Sequence, residues 1–227
     1  MRMPAAERRK LEREDQKKSR IQHIVECSFG LFSERNIEGI SMNEIATQAE
    51  IGVASLYRYF STKEELAIET AVYAWKMEED LFRENFSSPE YDSLSGFEQV
   101  KTLLEVFLEA LVTQESFFRF VYHFDSFVKR EKLTPEKLIG YENTISVMRT
   151  VVVKALEKGE NDGSIVLKPC IDGATNNELY FTMMHSLFSL AQKLSLSGEM
   201  LYMDLEVSAI RQVELLINII LNSLQKS

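Results

Sequence analysis

Glycine and proline are scarce in this 227-residue chain, with 9 and 4 copies, and there are only two cysteines. So few turn-forming residues argue against a loop-rich β sandwich and for long helices. Cys27 and Cys170 stand far apart and match no zinc or disulfide spacing. That excludes a disulfide scaffold and fits a reducing compartment. No window approaches the ~18 uninterrupted apolar residues of a membrane span. The N-terminus is basic, but no hydrophobic stretch follows it directly, so it does not read as a secretory signal. A cytoplasmic protein without a membrane partner is expected. His23, His123 and His185 are scattered, and neither a glycine-rich phosphate loop nor an HExxH pair is present. No catalytic residue, metal site or cofactor is therefore expected, and the chain does not read as an enzyme.

What is present begins with an uneven charge. Residues 1–20 hold eight basic side chains against four acidic ones, and residues 1–66 balance at eleven of each. The remaining 15 basic and 24 acidic side chains carry the whole net charge of -9. An acidic body behind a basic tip suggests domains with different partners. Such acidity disfavours loose coating of DNA and favours a small, oriented contact. The tip reads either as a solvated, partly frayed helix or as an arm reaching into a minor groove.

Apolar residues recur at helical spacing almost throughout. Ile21, Ile24, Val25, Phe29 and Phe32 mark a first helix, broken by Asn36 and Gly39. Ser41 with Glu44 three residues on is a capping box for a short helix to about Ala49. After a break at Glu50–Ile51–Gly52, a second short helix reaches about Tyr59, and Thr62 with Glu65 opens a longer one that passes Trp75. Further stripes run from Phe97 to Val112, from Phe117 to Phe127 and from Thr134–Pro135 to Gly159. Two strongly apolar helices, about Ile171–Leu194 and Met200–Gln225, close the chain. There is no convincing strand, and the expected fold is all-α.

Two short helices joined by a three-residue turn and followed by a capped third have helix-turn-helix spacing. Ile45, Ala46, Ala49 and Leu56 would pack the pair, with Ile51 facing inward from the turn. Gly52, Val53, Ala54, Ser55, Tyr57, Arg58 and Tyr59 are left for DNA. Small residues at the start of the second helix let its backbone approach a groove, and its N-terminal N–H groups can meet phosphate.

The stretch SMNEIATQAEIGVASLYRYFSTK resembles the DNA-binding domain of the TetR/AcrR family of regulators, whose hallmark is I-A-x-x-A-G-V-S-x-G-T-L-Y-x-Y-F-x-S-K-x-x-L. Ile45, Ala46, Ala49, Leu56, Tyr57, Tyr59, Phe60, Lys63 and Leu66 occupy matching places, and the likeness covers about Ile21–Leu66. It implies a three-helix DNA-binding domain over residues 21–66, preceded by the basic arm or helix start of residues 1–20. A larger helical ligand-binding and dimerisation domain would follow over residues 67–227. It further implies that Ser41 touches phosphate with Asn43 beside it, and that Val53 and Ala54 meet base edges, where they can offer apolar contact to a thymine methyl. Tyr57 would stack on sugar or base, and Ser55, Tyr59 and Lys63 would bind phosphates. Packing is the competing role for the two tyrosines. Glu50 departs from the family's usual glycine. Either it holds a left-handed turn at about 1–2 kcal/mol, or the turn is altered. Its charge also faces the expected DNA side.

For the body, the resemblance implies a homodimer through the last two helices and an inducer pocket. Candidate lining residues are Phe107, Phe117, Phe118, Val121, Tyr122, Asp125, Tyr141, Thr144, Met148, Tyr180, Met184, His185 and Phe188, which equally could fill a core. A buried Asp125 or Glu178 would favour a cationic inducer. The expected function is a ligand-responsive regulator, most simply a repressor released from a palindromic double-stranded operator by a small apolar or aromatic molecule. The helix through Trp75, the one tryptophan, would be the lever. The alternative is a helical interaction protein that binds DNA but takes no small-molecule inducer.

Overall fold

The computed structural model describes residues 5–168, 171–197 and 206–225, and every regular element among them is helical. In order these are α1 (Ala5–Glu34), a 3-10 turn (Ile37–Gly39), α2 (Met42–Gln48), α3 (Val53–Tyr59), α4 (Lys63–Phe86) and α5 (Pro89–Ser93). There follow α6 (Gly96–Thr113), α7 (Glu115–Arg130), α8 (Pro135–Asp162), α9 (Asn176–Ser197) and α10 (Ala209–Leu224). No described helix is long and apolar enough to cross a membrane. The chain forms two compact units. One comprises Met1–Ala74 and His123–Tyr141, the other Trp75–Tyr122 and Glu142–Ser227. Helix α4 thus belongs to both, and residues 123–141, which the sequence pattern groups with the larger domain, fall in the first unit.

The first unit is organised by α1. Its apolar stripe buries Ile24, Val25 and Phe32, and the following elements add Ile37, Ile40, Ile45, Ala46, Ala49, Leu56, Phe60 and Leu66. Burying each large aliphatic or aromatic side chain contributes roughly 1.5–3 kcal/mol. Ile51 is only half-buried rather than turned fully inward. Helix α1 starts well before its apolar stripe, so the tip is not an extended arm from Ala5 onward. Residues 5–20 are rich in strong helix formers with no Gly or Pro, and Arg8 pairs with Glu12 one turn on at 3.5 Å. Residues 7–20 are all exposed, because Leu11 is the one large apolar side chain among them and makes no stripe to bury.

The second unit packs α6 against α8 and α10. Helix α6 buries Val100, Leu103, Leu104, Phe107 and Leu111, and α10 buries Val213, Ile217, Ile220 and Leu224. The start of α6 lies so close to α8 that a Cβ on Gly96 would stand 2.0 Å from the Gly159 nitrogen. Its first amides are satisfied from the end of α8 and the turn after it: Gly96 donates to Asp162 Oδ2 at 2.9 Å and Phe97 donates to Ser164 Oγ at 3.0 Å. Gly163 makes that turn at φ 73°, where a side chain would be strained. The Val166 and Lys168 amides then donate to the Leu224 and Ser223 carbonyls, tying the strap to the end of α10.

The last helices start later than their hydrophobicity suggests. Gly173, at φ 82°, and the Thr175–Glu178 cap delay α9 to Asn176, and Ser208 caps α10 by accepting from the Arg211 amide. Met200–Leu205, expected in the final helix, and Cys170 lie outside the described residues.

Candidate functional site

Helices α2 and α3 are held by local chemistry. The Ser41 Oγ accepts from the Glu44 amide at 3.2 Å while a Glu44 carboxylate oxygen accepts from the Ser41 amide at 2.8 Å. The backbone and hydroxyl hydrogen bonds from Ser41, with Arg35 beside them at 3.2 Å, hold the Glu44 carboxyl below its usual range. The turn is a Schellman motif. The Ile51 amide donates to the Ala46 carbonyl at 2.9 Å and the Glu50 amide to the Thr47 carbonyl at 3.1 Å. Its left-handed position is Glu50, at φ 52°. The turn keeps its shape and the glutamate carries the strain.

Gly52 begins α3 with no side chain capping it. Leu56 and Phe60 are buried, whereas Gly52, Val53, Ala54, Tyr57 and Arg58 are exposed, Tyr57 to 51%. Val53, Ala54, Tyr57 and Arg58 stand at i, i+1, i+4 and i+5, so they form one face. Arg58 lies along that face and donates to Ser55 Oγ at 2.6 Å, leaving Ser55 half-buried. Ser41 and Asn43 are exposed beside it. Tyr59 is half-buried and walls an open groove opposite Arg13, Lys17, Arg20 and His23 of α1. It combines the packing and surface roles between which the sequence left it.

Lys63 is a correction. Expected on phosphate, it directs its ammonium inward to the carbonyls of Ile37, Glu38 and Ile40 at 3.0, 3.0 and 3.1 Å. An ammonium has three N–H donors, and these three acceptors use them. It closes the 3-10 turn onto the start of α4. A lysine directly after a capping Thr62 gave no sequence signal for this.

The expected ligand residues separate. Phe107, Phe117, Phe118 and Phe188 come together around Trp75, whose ring centroid lies 5.0 Å from Phe117 and 5.5 Å from Phe188. Val121 is buried. Phe107, Met148 and Met184 border a void of only about 20 Å³. A larger cavity of about 240 Å³ takes Thr144 and Met148 from the expected set and adds Trp75, Glu79, Phe86, Ser87, Val147 and Val151. The other candidates lie elsewhere. Asp125 is exposed, and both it and Tyr141 belong to the first unit, where the Tyr141 ring lies tilted against Phe124 at 5.0 Å. Tyr122 is 43% exposed. Tyr180, Phe181 and His185 form a run of rings along α9, with Arg149 5.9 Å above Phe181. Phe181 is 44% exposed.

Nor does either expected carboxylate sit buried in an apolar wall. Glu178 is exposed and accepts from the Thr175 amide and hydroxyl, which hold its carboxyl below the usual range. Among the described residues the buried acid is Glu78, only 3% exposed on α4, and burial pushes its carboxyl up to about 7. It continues the stripe Ala67, Ala71 and Ala74, so its position in the helical repeat, more than its type, was the available signal.

Residues 24–70 match the model of the bacterial regulatory proteins of the tetR family. HTH-type transcriptional regulators of Staphylococcus aureus are 35% identical over 97 residues, 43% of this chain and 50% of theirs. The chain thus spans about half the length of the curated relatives it matches. Among solved structures, a TetR-family regulator from Agrobacterium tumefaciens aligns with TM-score 0.68 at 14% identity, covering 92% of this chain and 100% of that one. A regulator from Saccharomonospora viridis, solved in complex with choline, aligns with TM-score 0.65 at 16% identity over 92% and 99% of the two chains. At such identities the structural likeness is one of fold.

Proposed function

Since the chain belongs to the tetR family of bacterial regulatory proteins, we propose that it is a homodimeric, ligand-responsive repressor that binds a palindromic operator through α3. The observation that carries this reading is the exposed face of Val53, Ala54, Tyr57 and Arg58, set behind a fixed turn. Val53 and Ala54 meet thymine methyls, and Arg58 is the one side chain of that face with a guanidinium fork for a guanine edge. Tyr57 stacks on sugar or base. Ser41, Asn43, Ser55 and Tyr59 hold phosphates, and the basic, exposed start of α1 adds charge without reading sequence. Lys63 acts by fixing the geometry behind that surface.

The dimer forms through α9 and α10. Phe181, Leu215 and Ile219, the last 66% exposed, offer an apolar surface for a second copy. Two recognition helices related by a two-fold axis then suit successive major grooves. A small molecule in the second unit favours a state whose helix spacing no longer fits, which requires several kcal/mol of differential affinity. Thermal-shift screening followed by DNA titration tests the ligand half. Compounds that raise the melting temperature with saturable dose should also release DNA. Stabilising compounds that leave DNA affinity untouched would favour the reading without an inducer.

A further inference from the structure

The exposed start of α1 sorts its charges by face. At about 100° per residue, Arg9, Lys10, Arg13, Lys17 and Arg20 fall within an arc of about 100°, and Glu7, Glu12, Glu14 and Asp15 all fall outside it. The five bases are exposed and have no ion pair among the described residues, whereas Arg8, on the other side, is spent on Glu12 at 3.5 Å. The stripe runs on into Ile24, one turn beyond Arg20 and wholly buried where α1 packs on the helix-turn-helix. It therefore faces the side of α1 on which α2 lies. Arg13, Lys17 and Arg20 line an open groove of about 1050 Å³ that reaches Tyr59 at the end of α3, and Asp15 and Glu26 border it from the opposite side of α1. The helix-turn-helix itself is short of positive charge. Residues 41–62 hold Arg58 against Glu44 and Glu50, and the Lys63 ammonium is turned inward to three carbonyls.

We propose that this face of α1 is a second DNA-binding surface, a rigid helical clamp that grips the phosphate backbone of the duplex that α3 enters, with the strand seated in the groove between the stripe and Tyr59. The assignment rests on the DNA-binding reading above and names the source of its affinity. From Arg9 to Arg20 the stripe is about 16 Å long, with its bases about one 5.4 Å turn apart, enough to meet several successive phosphates of one strand. Such contacts are blind to base sequence, so reading stays with Val53, Ala54, Tyr57 and Arg58. The acidic remainder of the chain repels a duplex, so the stripe also orients the approach. A lipid surface is the poorer fit. A helix lying on a membrane needs an apolar face, and Leu11 is the one large apolar side chain of residues 7–20.

The test is fluorescence-anisotropy titration of the full chain against a duplex of about 30 base pairs and arbitrary sequence, over a range of salt concentrations. Arg13→Gln combined with Lys17→Gln should lower the slope of log affinity against log salt by about two. Its melting temperature should not change, since glutamine suits an exposed helix. Arg8→Gln combined with Lys18→Gln removes the same charge from the other side of α1 and should leave the slope as it is. Equal losses from the two pairs mean diffuse attraction and overturn the clamp. So does a stripe pair that binds like the parent chain, or a parent chain that ignores the duplex at low salt. Binding to phosphatidylserine vesicles that the stripe pair loses, while it keeps its hold on the duplex, overturns DNA as the partner. Selection from genomic DNA separates these failures from failure of the operator reading. An inverted repeat still enriched when the clamp has failed leaves α3 as the reader. A slope that falls as expected, with no repeat enriched, upholds the clamp and contradicts the operator.

Discussion

The Lys63 ammonium donates to the Ile40 carbonyl at 3.1 Å, with the Ile37 and Glu38 carbonyls completing its three bonds. A lysine spent in this way is a strut. Lys63→Met should destabilise the first unit by about 1–3 kcal/mol, since it strands carbonyls that are part-buried. The folded fraction should bind DNA with an unchanged salt slope in a titration over several salt concentrations. A slope reduced by about one would instead mark a lost phosphate contact.

Glu50 holds a left-handed backbone at φ 52°. Glu50→Gly should stabilise the chain by about 1 kcal/mol in urea denaturation, because glycine adopts that region without a Cβ clash. It should also tighten DNA binding by removing a charge from the phosphate side. Glu50→Gln separates the two effects: it should tighten binding without the gain in stability.

The contact between Gly96 and Gly159 tolerates no side chain. Gly96→Ala would drive a Cβ to 2.0 Å from backbone, so α6 and α8 must separate. A loss of about 3 kcal/mol or more is expected in denaturant unfolding, as for an overpacked core. Gly140→Ala, where nothing lies within 4 Å of the new Cβ, is the control and should be close to neutral.

Glu78 makes stability depend on pH in a defined direction. Its carboxyl is raised by burial from an ordinary 4.5 to about 7. Between those values the folded chain keeps a proton that the unfolded chain has lost. Stability therefore falls as pH rises through that window and levels above it. Glu78→Gln should flatten the slope and stabilise the protein at pH 8 by about 2 kcal/mol. A melting-temperature profile from pH 4 to 8 on both proteins measures this directly.

The helix-turn-helix was largely legible in the sequence, because its signals are local. Ser41 and Glu44 cap one another three residues apart, and the Ala46–Ile51 hydrogen bond closes the turn within six residues. Lys63 was misread because its partners lie 23 to 26 residues away. The cavity was partly hidden for the same reason. Trp75, Glu79 and Phe86 sit on a helix that reads as a connector, and only tertiary packing sets them opposite Thr144 and Met148. Asp125 and Tyr141 looked equally suitable, but composition carries no record of which unit a segment joins. The start of α1 could be read as helix or as arm, because a largely polar segment has no apolar period to decide between them.

The central claim is that α3 reads a two-fold symmetric DNA site. The most direct measurement is selection of bound fragments from the source organism's sheared genomic DNA by the purified chain, compared with Tyr57→Ala at two salt concentrations. The account predicts enrichment of a short inverted repeat, weakened steeply by salt and lost in Tyr57→Ala while that variant keeps its melting temperature. Absence of enrichment at low salt, or an enriched site indifferent to Tyr57, would contradict it.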